Sequence, residues 1–241
     1  DPRHSGAQQR LSTLREVATQ VCDEVIVVGA GESEKVPRGA RLFIGQSWST
    51  LYTLRRVRDQ CQAVWFDACD STVALRSSQF RQGRLASIPA ISRDIVLSRG
   101  FAPTVVTYIT GSDADRDTHL WRRRPLVIPI QWPRYEPMPF DGERRVVLAG
   151  DGSYCPNQDA ALWTIRHLVP QLRVLGVAES VWIYGHGYDL PPQPGVYVMG
   201  YEPDPRQLYR EGDVHIAPVV AGAGMKSKVA LPLIAGLDVV T

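Results

Sequence analysis

The chain has 241 residues, of which 44% are hydrophobic and 22% charged, so its composition is that of a globular protein rather than of a disordered or fibrous one. Its formal net charge of +2 argues against a nucleic-acid partner, which requires a concentrated basic face. The length is sufficient for two modest domains that each bury a core.

In the first half of the chain, short apolar runs alternate with stretches of helical periodicity, which is the pattern of βαβ units around a parallel sheet. Helices are predicted over residues 7–20 and 49–60. Two further helices are predicted within residues 71–99, because Gly83 and Pro89 interrupt the pattern there. The predicted strands, nearly continuous in apolar or β-branched residues, span residues 24–28, 41–44, 63–66, 104–109 and 126–128.

Two features of this half allow a functional and a structural interpretation. Residues 29–31 (Gly-Ala-Gly) imitate the start of a dinucleotide-binding motif, but Glu34 replaces its third glycine and Pro37 prevents a clean helix, so we interpret them as a turn. Asp67 and Asp70 follow a predicted strand at the edge where α/β proteins bind ligands, so either could face an acceptor substrate. Asp70 is also suited to cap the next helix.

A change in composition follows, with four prolines within residues 129–139. Proline at this density forbids a helix and favours an extended connector. We place the domain boundary here, which predicts an N-terminal domain over residues 1–135 and a C-terminal domain over residues 136–241.

The second half repeats the α/β pattern. Helices are predicted over residues 157–169 and 206–211 and from about 226 to 235. The fold class is therefore α/β, with two Rossmann-like domains that face each other across a cleft between the carboxyl edges of their sheets. The predicted strands of this half are residues 145–149, 180–184, 196–199, 213–217 and 238–241.

A glycine-rich turn at residues 222–225 carries the clearest chemical signal in the chain. It follows a predicted strand, and Lys226 and Lys228 lie in the first turns of the helix after it. Amide N–H groups at a helix N-terminus together with two ammonium groups form a site for an anion, most naturally a diphosphate. The alternative is a tight turn with solvated lysines.

Other signals bear on partners and location. Two basic runs, within residues 55–58 and 122–124, could touch anionic lipid or an acidic acceptor, although runs this short are usually solvated. The histidines and cysteines show no spacing typical of a metal site, so no metal is expected. We see no secretory leader and no apolar run that could span a bilayer, so a cytoplasmic protein is expected.

Three segments of the second half resemble a known family, in the order in which that family has them. Residues 222–229 and 235–241 are similar to the Gly-x-Gly-Ile-Lys-x-Lys-Val and Ala-Gly-x-Pro-Val-Val elements of family-4-type glycosyltransferases, which have the GT-B fold. Residues 146–160 resemble the Phe-x-Gly and Pro-Asn-x-Asp-Ala elements that open the family's C-terminal domain. Residues 200–209 resemble its Gly-Phe-x-x-Asp and Leu-Tyr elements.

The first half resembles the same family more weakly. Residues 4–10, which include Gly6, are similar to the glycine loop before the family's first helix, a loop that faces the donor phosphates and the acceptor. One glycine stands here where many relatives have two. Residues 108–114 resemble the family's Ile-Ser-x-x-Asp segment.

The resemblance implies a retaining transfer of a sugar from a nucleotide-diphosphate donor to a lipid, polysaccharide or small-molecule acceptor, without a cofactor or an essential metal. It implies that Lys226 and Lys228 are the catalytic residues, because cations stabilise the charge on the leaving diphosphate. If such an enzyme contacts a membrane peripherally, its expected location is the inner membrane face. The residues expected at the donor are Gly6, Gly222, Ala223, Gly224, Met225 and His186, the last unless it is a plain loop histidine.

One departure from the family leaves a second interpretation open. Family members usually carry a glutamate after the lysines that binds the donor ribose, and Leu231 stands at that position, followed by Pro232. Ala223 stands at the other acidic position of the pair. A degenerate, non-catalytic homologue that acts as a binding or partner subunit is the alternative. Because Thr241 precedes the family's next loop and final helices, the C-terminal domain is expected to be incomplete.

Overall fold

The protein is α/β, with one parallel sheet in each of two compact units. The computed structural model describes residues 6–29, 31–81, 83, 87–121, 123–176, 180–220 and 225–241. The main division between the units falls in the chain between Gln131 and Trp132, and Met225 groups with the first unit. In the part of the chain that is described, no helix is both long and apolar enough to cross a membrane.

The first unit contains a four-stranded parallel sheet whose strands lie side by side in chain order. Short 3₁₀ turns lie at Ser33–Lys35, Trp48–Thr50, Arg58–Gln60 and Thr118–Leu120. The strands are β1 (Ala40–Gln46), β2 (Cys61–Cys69), β3 (Val105–Tyr108) and β4 (Leu126–Val127). The helices are α1 (Gly6–Val21), α2 (Leu51–Val57), α3 (Thr72–Arg81), α4 (Ser87–Arg99) and α5 (Gly111–Asp117).

The core of this unit forms where α2 packs on the sheet. Leu51, Leu54 and Val57 recur at helical spacing, form one apolar stripe, and are almost completely buried. Gly45 of β1 permits the close approach of this helix, because a Cβ at that position would stand 2.6 Å from Leu54 Cδ1. Phe66 of β2 packs in the same core.

A buried ion pair fastens α1 to the carboxyl edge of this sheet. Arg10 donates through Nε to Asp67 Oδ2 over 3.0 Å and through Nη2 to Oδ1 over 2.9 Å, and neither residue is exposed. Thr107 of β3 donates to the same carboxylate over 2.5 Å. Asp67 is therefore a structural residue, and the prediction that it faces an acceptor is wrong.

The cap of α3 also differs from the sequence-based interpretation. Ser71, rather than Asp70, supplies it, because the Ser71 hydroxyl oxygen accepts from the backbone N–H of Ala74 over 3.0 Å. Serine is as well suited to this position as aspartate, so residue type alone did not separate the two neighbours.

The second unit contains a five-stranded parallel sheet. A π-helical turn at Thr164–Leu168 joins its first two helices, and a 3₁₀ turn lies at Pro205–Leu208. The strands are β5 (Val146–Ala149), β6 (Val181–Tyr184), β7 (Val196–Gly200), β8 (Val214–Ile216) and β9 (Asp238–Val240). The helices are α6 (Cys155–Trp163), α7 (Val169–Leu175) and α8 (Ser227–Ile234).

A second buried ion pair joins the two central strands of this sheet where they begin. Arg145, immediately before β5, donates to Asp213, immediately before β8, through Nε over 3.0 Å and through Nη2 over 2.5 Å. The same guanidinium donates to the Tyr184 hydroxyl and lies over the Trp182 ring. These contacts link the starts of β5 and β8 to each other and to side chains of β6.

Most predicted strands and helices are present, but residues 24–28 form no strand. Ile26 and Val27 are more than half exposed, and only Val28 packs on the core. A β-branched run becomes a strand only where a neighbour completes its backbone hydrogen bonds, and β1 pairs with β2 alone.

The predicted helix at residues 206–211 is also wrong, because it is only the 3₁₀ turn at Pro205–Leu208. The backbone groups that follow this turn form hydrogen bonds with the proline-rich connector instead. The N–H of Met138 donates to the Tyr209 carbonyl, and the N–H of Glu211 donates to the Met138 carbonyl.

A backbone hydrogen bond between Glu32 and Gly29 agrees with the turn interpretation of residues 29–31, of which Ala30 lies outside the described residues. The backbone N–H of Glu32 donates to the Gly29 carbonyl over 3.1 Å, and the Glu32 carboxylate accepts from the Gly29 N–H over 2.8 Å. A 3₁₀ turn follows instead of the α-helix that a dinucleotide-binding motif needs.

We expect Asp67→Asn to lower the free energy of unfolding by about 3–5 kcal/mol, because the buried Arg10 guanidinium would lose its compensating charge. Urea unfolding followed by circular dichroism measures the change. Asp59→Asn, at an exposed position of the same unit, is the matched control and should cost less than about 0.5 kcal/mol. Equal losses in both variants would contradict a structural role for the ion pair.

Candidate anion-binding site

The strand order of the second sheet changes its direction of growth at the boundary between β5 and β8, although all strands stay parallel. In the order β7-β6-β5-β8-β9, the chain runs outward from β5 to β7 and then crosses to β8 and β9 on the other side. The connections that leave β5 and β8 therefore lead to opposite sides, which opens a crevice beyond the carboxyl ends of these two strands. Ligands of open α/β sheets bind in such a crevice.

The loops after β5 and β6 are held against each other by backbone contacts. Gly150 N–H donates to the Tyr184 carbonyl over 3.0 Å, and Gly152 N–H donates to the His186 carbonyl over 2.7 Å. Gly185 has φ +135°, and a Cβ there would stand 1.6 Å from the Gly150 oxygen. Only glycine fits at that position, so the sequence itself fixes one wall of the crevice.

Asn157 connects the β5 loop to α8. Its side chain is buried, and its Nδ2 donates to the Asp151 carbonyl over 2.7 Å. Its Oδ1 accepts a hydrogen bond from Lys228 Nζ. This orientation of the amide is forced, because a carbonyl can only accept and an ammonium can only donate.

Lys228 lies half-buried in the first turn of α8. Burial, and then the neighbouring charge of Lys226, lower the pKa of its ammonium to about 8. A lysine with this pKa is mostly protonated at neutral pH and releases its proton under mildly alkaline conditions. The side chain therefore provides a cation whose charge depends on its surroundings.

Two of the three lysines in the whole chain, Lys226 and Lys228, stand at the amino end of α8. Unpaired amides and the helix dipole favour anions at such an end. An ammonium has three N–H donors, and Asn157 accepts from only one of those of Lys228. The remaining donors are suited to the oxygens of a phosphate or diphosphate.

The described residues include only some of those predicted for the site. Met225 is 38% exposed and precedes the two lysines, and Gly6 begins α1. Asn157 is a site residue that the sequence did not reveal, although it belongs to the Pro-Asn-x-Asp-Ala element. The predicted site residues that lie outside the described residues are Gly222, Ala223 and Gly224.

His186 lies on the loop after β6, at the same edge of the second sheet. Its carbonyl accepts from Gly152, and its exposed ring stacks on Tyr201 with 4.8 Å between the ring centroids. The ring therefore has a fixed neighbour at the carboxyl edge. Its contact with a donor stays a prediction.

Leu231 and Pro232 stand where the sequence resemblance predicts a glutamate and a small residue. Leu231 packs against a cluster of Tyr209, Ala235 and Leu237. Pro232 is buried inside α8. The position of the expected carboxylate is thus part of an apolar contact between α8 and the 3₁₀ turn.

Within the described ranges, no three His, Cys, Asp or Glu side chains lie close enough together to hold a metal ion. The polar groups described beyond the end of β5 include the Lys228 ammonium, the Asn157 amide and backbone groups, which are able to act on a ligand through hydrogen bonds and charge.

Comparisons with known proteins place the fold. No family model matches the chain, and no curated protein matches its sequence. Among solved structures, the chain is similar to the crystal structure of TarM, a GT-B-type glycosyltransferase, with a TM-score of 0.58 and 12% sequence identity. The match covers 82% of this chain and 40% of that chain, so this chain spans less than half of TarM. At this identity the likeness shows the fold alone.

We expect the ammonium of Lys228 to titrate with a midpoint near 8, while the pKa of Lys35 is raised by its hydrogen bond to Glu32. Nuclear magnetic resonance of ¹³C-labelled lysine can resolve both groups, because the chain has only three lysines. Lys228→Arg assigns the resonance by removing it. A Lys228 midpoint at or above that of Lys35 would show that the ammonium is not held in a buried position.

Proposed function

We propose that the protein is a glycosyltransferase that moves a sugar from a nucleotide-diphosphate donor to an acceptor with retention of anomeric configuration. The observation that carries this proposal is the Lys228 ammonium, which Asn157 holds at the switch point of the second sheet in a chain with a glycosyltransferase fold. The resemblance of residues 145–241 to the family-4-type enzymes supports the same activity.

The chemistry requires a stabilised leaving group. The bond between the sugar's anomeric carbon and the diphosphate oxygen breaks, and negative charge collects on the diphosphate. The oxygen of an acceptor hydroxyl bonds to that carbon and releases its proton to the departing diphosphate or to water. Preorganised cations at that place lower the barrier. In this proposal Lys228 and Lys226 contact the diphosphate oxygens, and the glycines at 222 and 224 let the backbone approach them.

Asn157 restricts where the Lys228 ammonium can lie. A free lysine side chain loses rotamer freedom when it binds a ligand, and a hydrogen bond that already orients it reduces this loss. The Asp151 carbonyl orients Asn157 in turn. The proposed site is therefore organised before the donor binds.

The donor and acceptor are proposed by class. The donor is a sugar linked to UDP, GDP or dTDP, and the acceptor is a lipid, a polysaccharide or a small metabolite. No metal or cofactor takes part in the proposed reaction, because cationic side chains and amide dipoles provide the charge that a metal would supply.

A second candidate function is a partner subunit that has the fold but no longer catalyses transfer. The apolar packing of Leu231 favours it, because this position has no group that can hydrogen-bond a ribose hydroxyl. Such a subunit would keep the two lysines and their affinity for an anion while lacking turnover.

We expect Lys228→Met to weaken the binding of UDP, GDP or dTDP by about tenfold to a hundredfold, because a charge-assisted hydrogen bond is lost. Isothermal titration calorimetry measures the dissociation constants. Lys35→Met removes a lysine far along the chain and should leave the affinity unchanged. The absence of binding to all three nucleotides at millimolar concentration would count against the proposal.

The affinity of the unmodified protein for the nucleotide should fall as the pH rises through about 8, because the Lys228 ammonium loses its proton there. Lys228→Arg keeps the charge at every accessible pH and should show no such decline. Titrations of both proteins between neutral and alkaline pH measure this difference. The same decline in both would mean that another group controls binding.

Turnover separates the two candidate functions. We expect the protein to release nucleoside diphosphate from at least one donor in a panel of UDP-, GDP- and dTDP-sugars, detected by chromatography, and Lys228→Met to lower this rate. Binding of the nucleotide without release from any donor, in the presence of lipid, polysaccharide and small-molecule acceptors, would favour the partner subunit.

A further inference from the structure

A pocket lies in the first unit, at the amino edge of its sheet. It has a volume of about 570 Å³, which is within the range of small-molecule sites. Thr104 and Val105 line it where β3 begins, and Leu126 lines it where β4 begins. In a parallel sheet this edge is opposite to the carboxyl edge, so the pocket is separate from the usual ligand crevice of that sheet.

One arginine of the first basic run and two arginines of the second line this pocket. Arg58 comes from the 3₁₀ turn before β2, and Arg123 and Arg124 come from the segment before β4. These runs are far apart in the chain, so only the fold brings their charges together. Charges of one sign concentrate in this way where a ligand of the opposite sign is bound.

Most of this positive charge is not compensated by nearby carboxylates. None of the described residues that line the pocket is an aspartate or a glutamate. Arg124 has an exposed ion pair with Asp115 at 3.7 Å, a geometry of little energetic weight. Arg58 is half-buried, and neither it nor Arg123 has an ion pair with any described carboxylate.

The remaining lining is mostly apolar. Val106 and Trp121 are buried and form part of the wall together with Ala102 and Pro103. The indole N–H of Trp121 already donates to the Tyr108 hydroxyl over 3.0 Å, so it is not available to a ligand. The pocket therefore combines guanidinium groups with an apolar wall.

We propose that this pocket binds a phosphate-bearing ligand, with Arg58 and Arg123 on the phosphate and Trp121 against an apolar portion. A guanidinium offers two parallel N–H donors that match phosphate oxygens, and an apolar wall strengthens such contacts by excluding water. This site goes beyond the proposed transfer reaction, for which the diphosphate is proposed to bind at Lys226 and Lys228. The phosphate comes either from a soluble metabolite or from a lipid headgroup.

Pyrophosphate is the probe, and it must not be confused with binding at the lysines. We therefore titrate it into Lys226→Ala/Lys228→Ala protein at low ionic strength by calorimetry. Adding Arg58→Gln/Arg123→Gln to this background should raise the dissociation constant at least about tenfold. Adding Arg15→Gln/Arg41→Gln, two exposed arginines of the same unit, should change it by less than about twofold.

Three results would overturn the proposal: no saturable binding to the Lys226→Ala/Lys228→Ala background, no loss with Arg58→Gln/Arg123→Gln, or an equal loss with Arg15→Gln/Arg41→Gln. Circular dichroism checks that each variant folds. If the pocket variant does not fold, Arg123→Gln alone tests the proposal, because that side chain is exposed. Loss of nucleotide binding at the lysines would leave this result unaffected.

Sedimentation with vesicles distinguishes the two sources of phosphate. Vesicles of phosphatidylcholine are prepared with and without phosphatidic acid. Sedimentation that requires phosphatidic acid and is lost in Arg58→Gln/Arg123→Gln supports a lipid headgroup in the pocket. Pyrophosphate binding without sedimentation supports a soluble phosphorylated ligand. Sedimentation that persists in Arg58→Gln/Arg123→Gln contradicts a lipid headgroup in this pocket.

Discussion

The hydrogen bond between Lys228 and Asn157 is the contact on which the candidate site depends. It joins α8 to the start of α6, and Asn157 is itself held by the carbonyl of Asp151 in the loop after β5. A half-buried ammonium would otherwise lose its hydration without replacement. Asn157 presents a fixed oxygen to the ammonium, so the cation lies at one position.

The sequence predicted the sheet elements well because each buried strand is a short apolar run bounded by turn residues. The run at residues 24–28 has the same local pattern and yet forms no strand, since pairing depends on a neighbour that the run does not specify. The lysines were recognised from residue type and spacing alone. The role of Asn157 was not, because its partner lies 71 residues away and is brought close only by the fold.

The buried and half-buried cations of the protein have different kinds of partner. In each unit a buried arginine is neutralised by a buried aspartate, so Arg10 with Asp67 and Arg145 with Asp213 serve the fold. Lys228 has a neutral partner and keeps its net positive charge. This contrast separates a structural cation from one that is suited to bind a ligand. Leu231 adds apolar packing with Tyr209, Ala235 and Leu237.

The most direct test is a crystal structure of the protein with a nucleoside diphosphate bound. We expect the diphosphate oxygens to accept hydrogen bonds from Lys228 Nζ at the amino end of α8, with the Asn157 side chain still in contact with the same ammonium. Density for the nucleotide elsewhere, with Lys228 bound only to Asn157 or turned into solvent, would contradict the assignment of this crevice as the donor site.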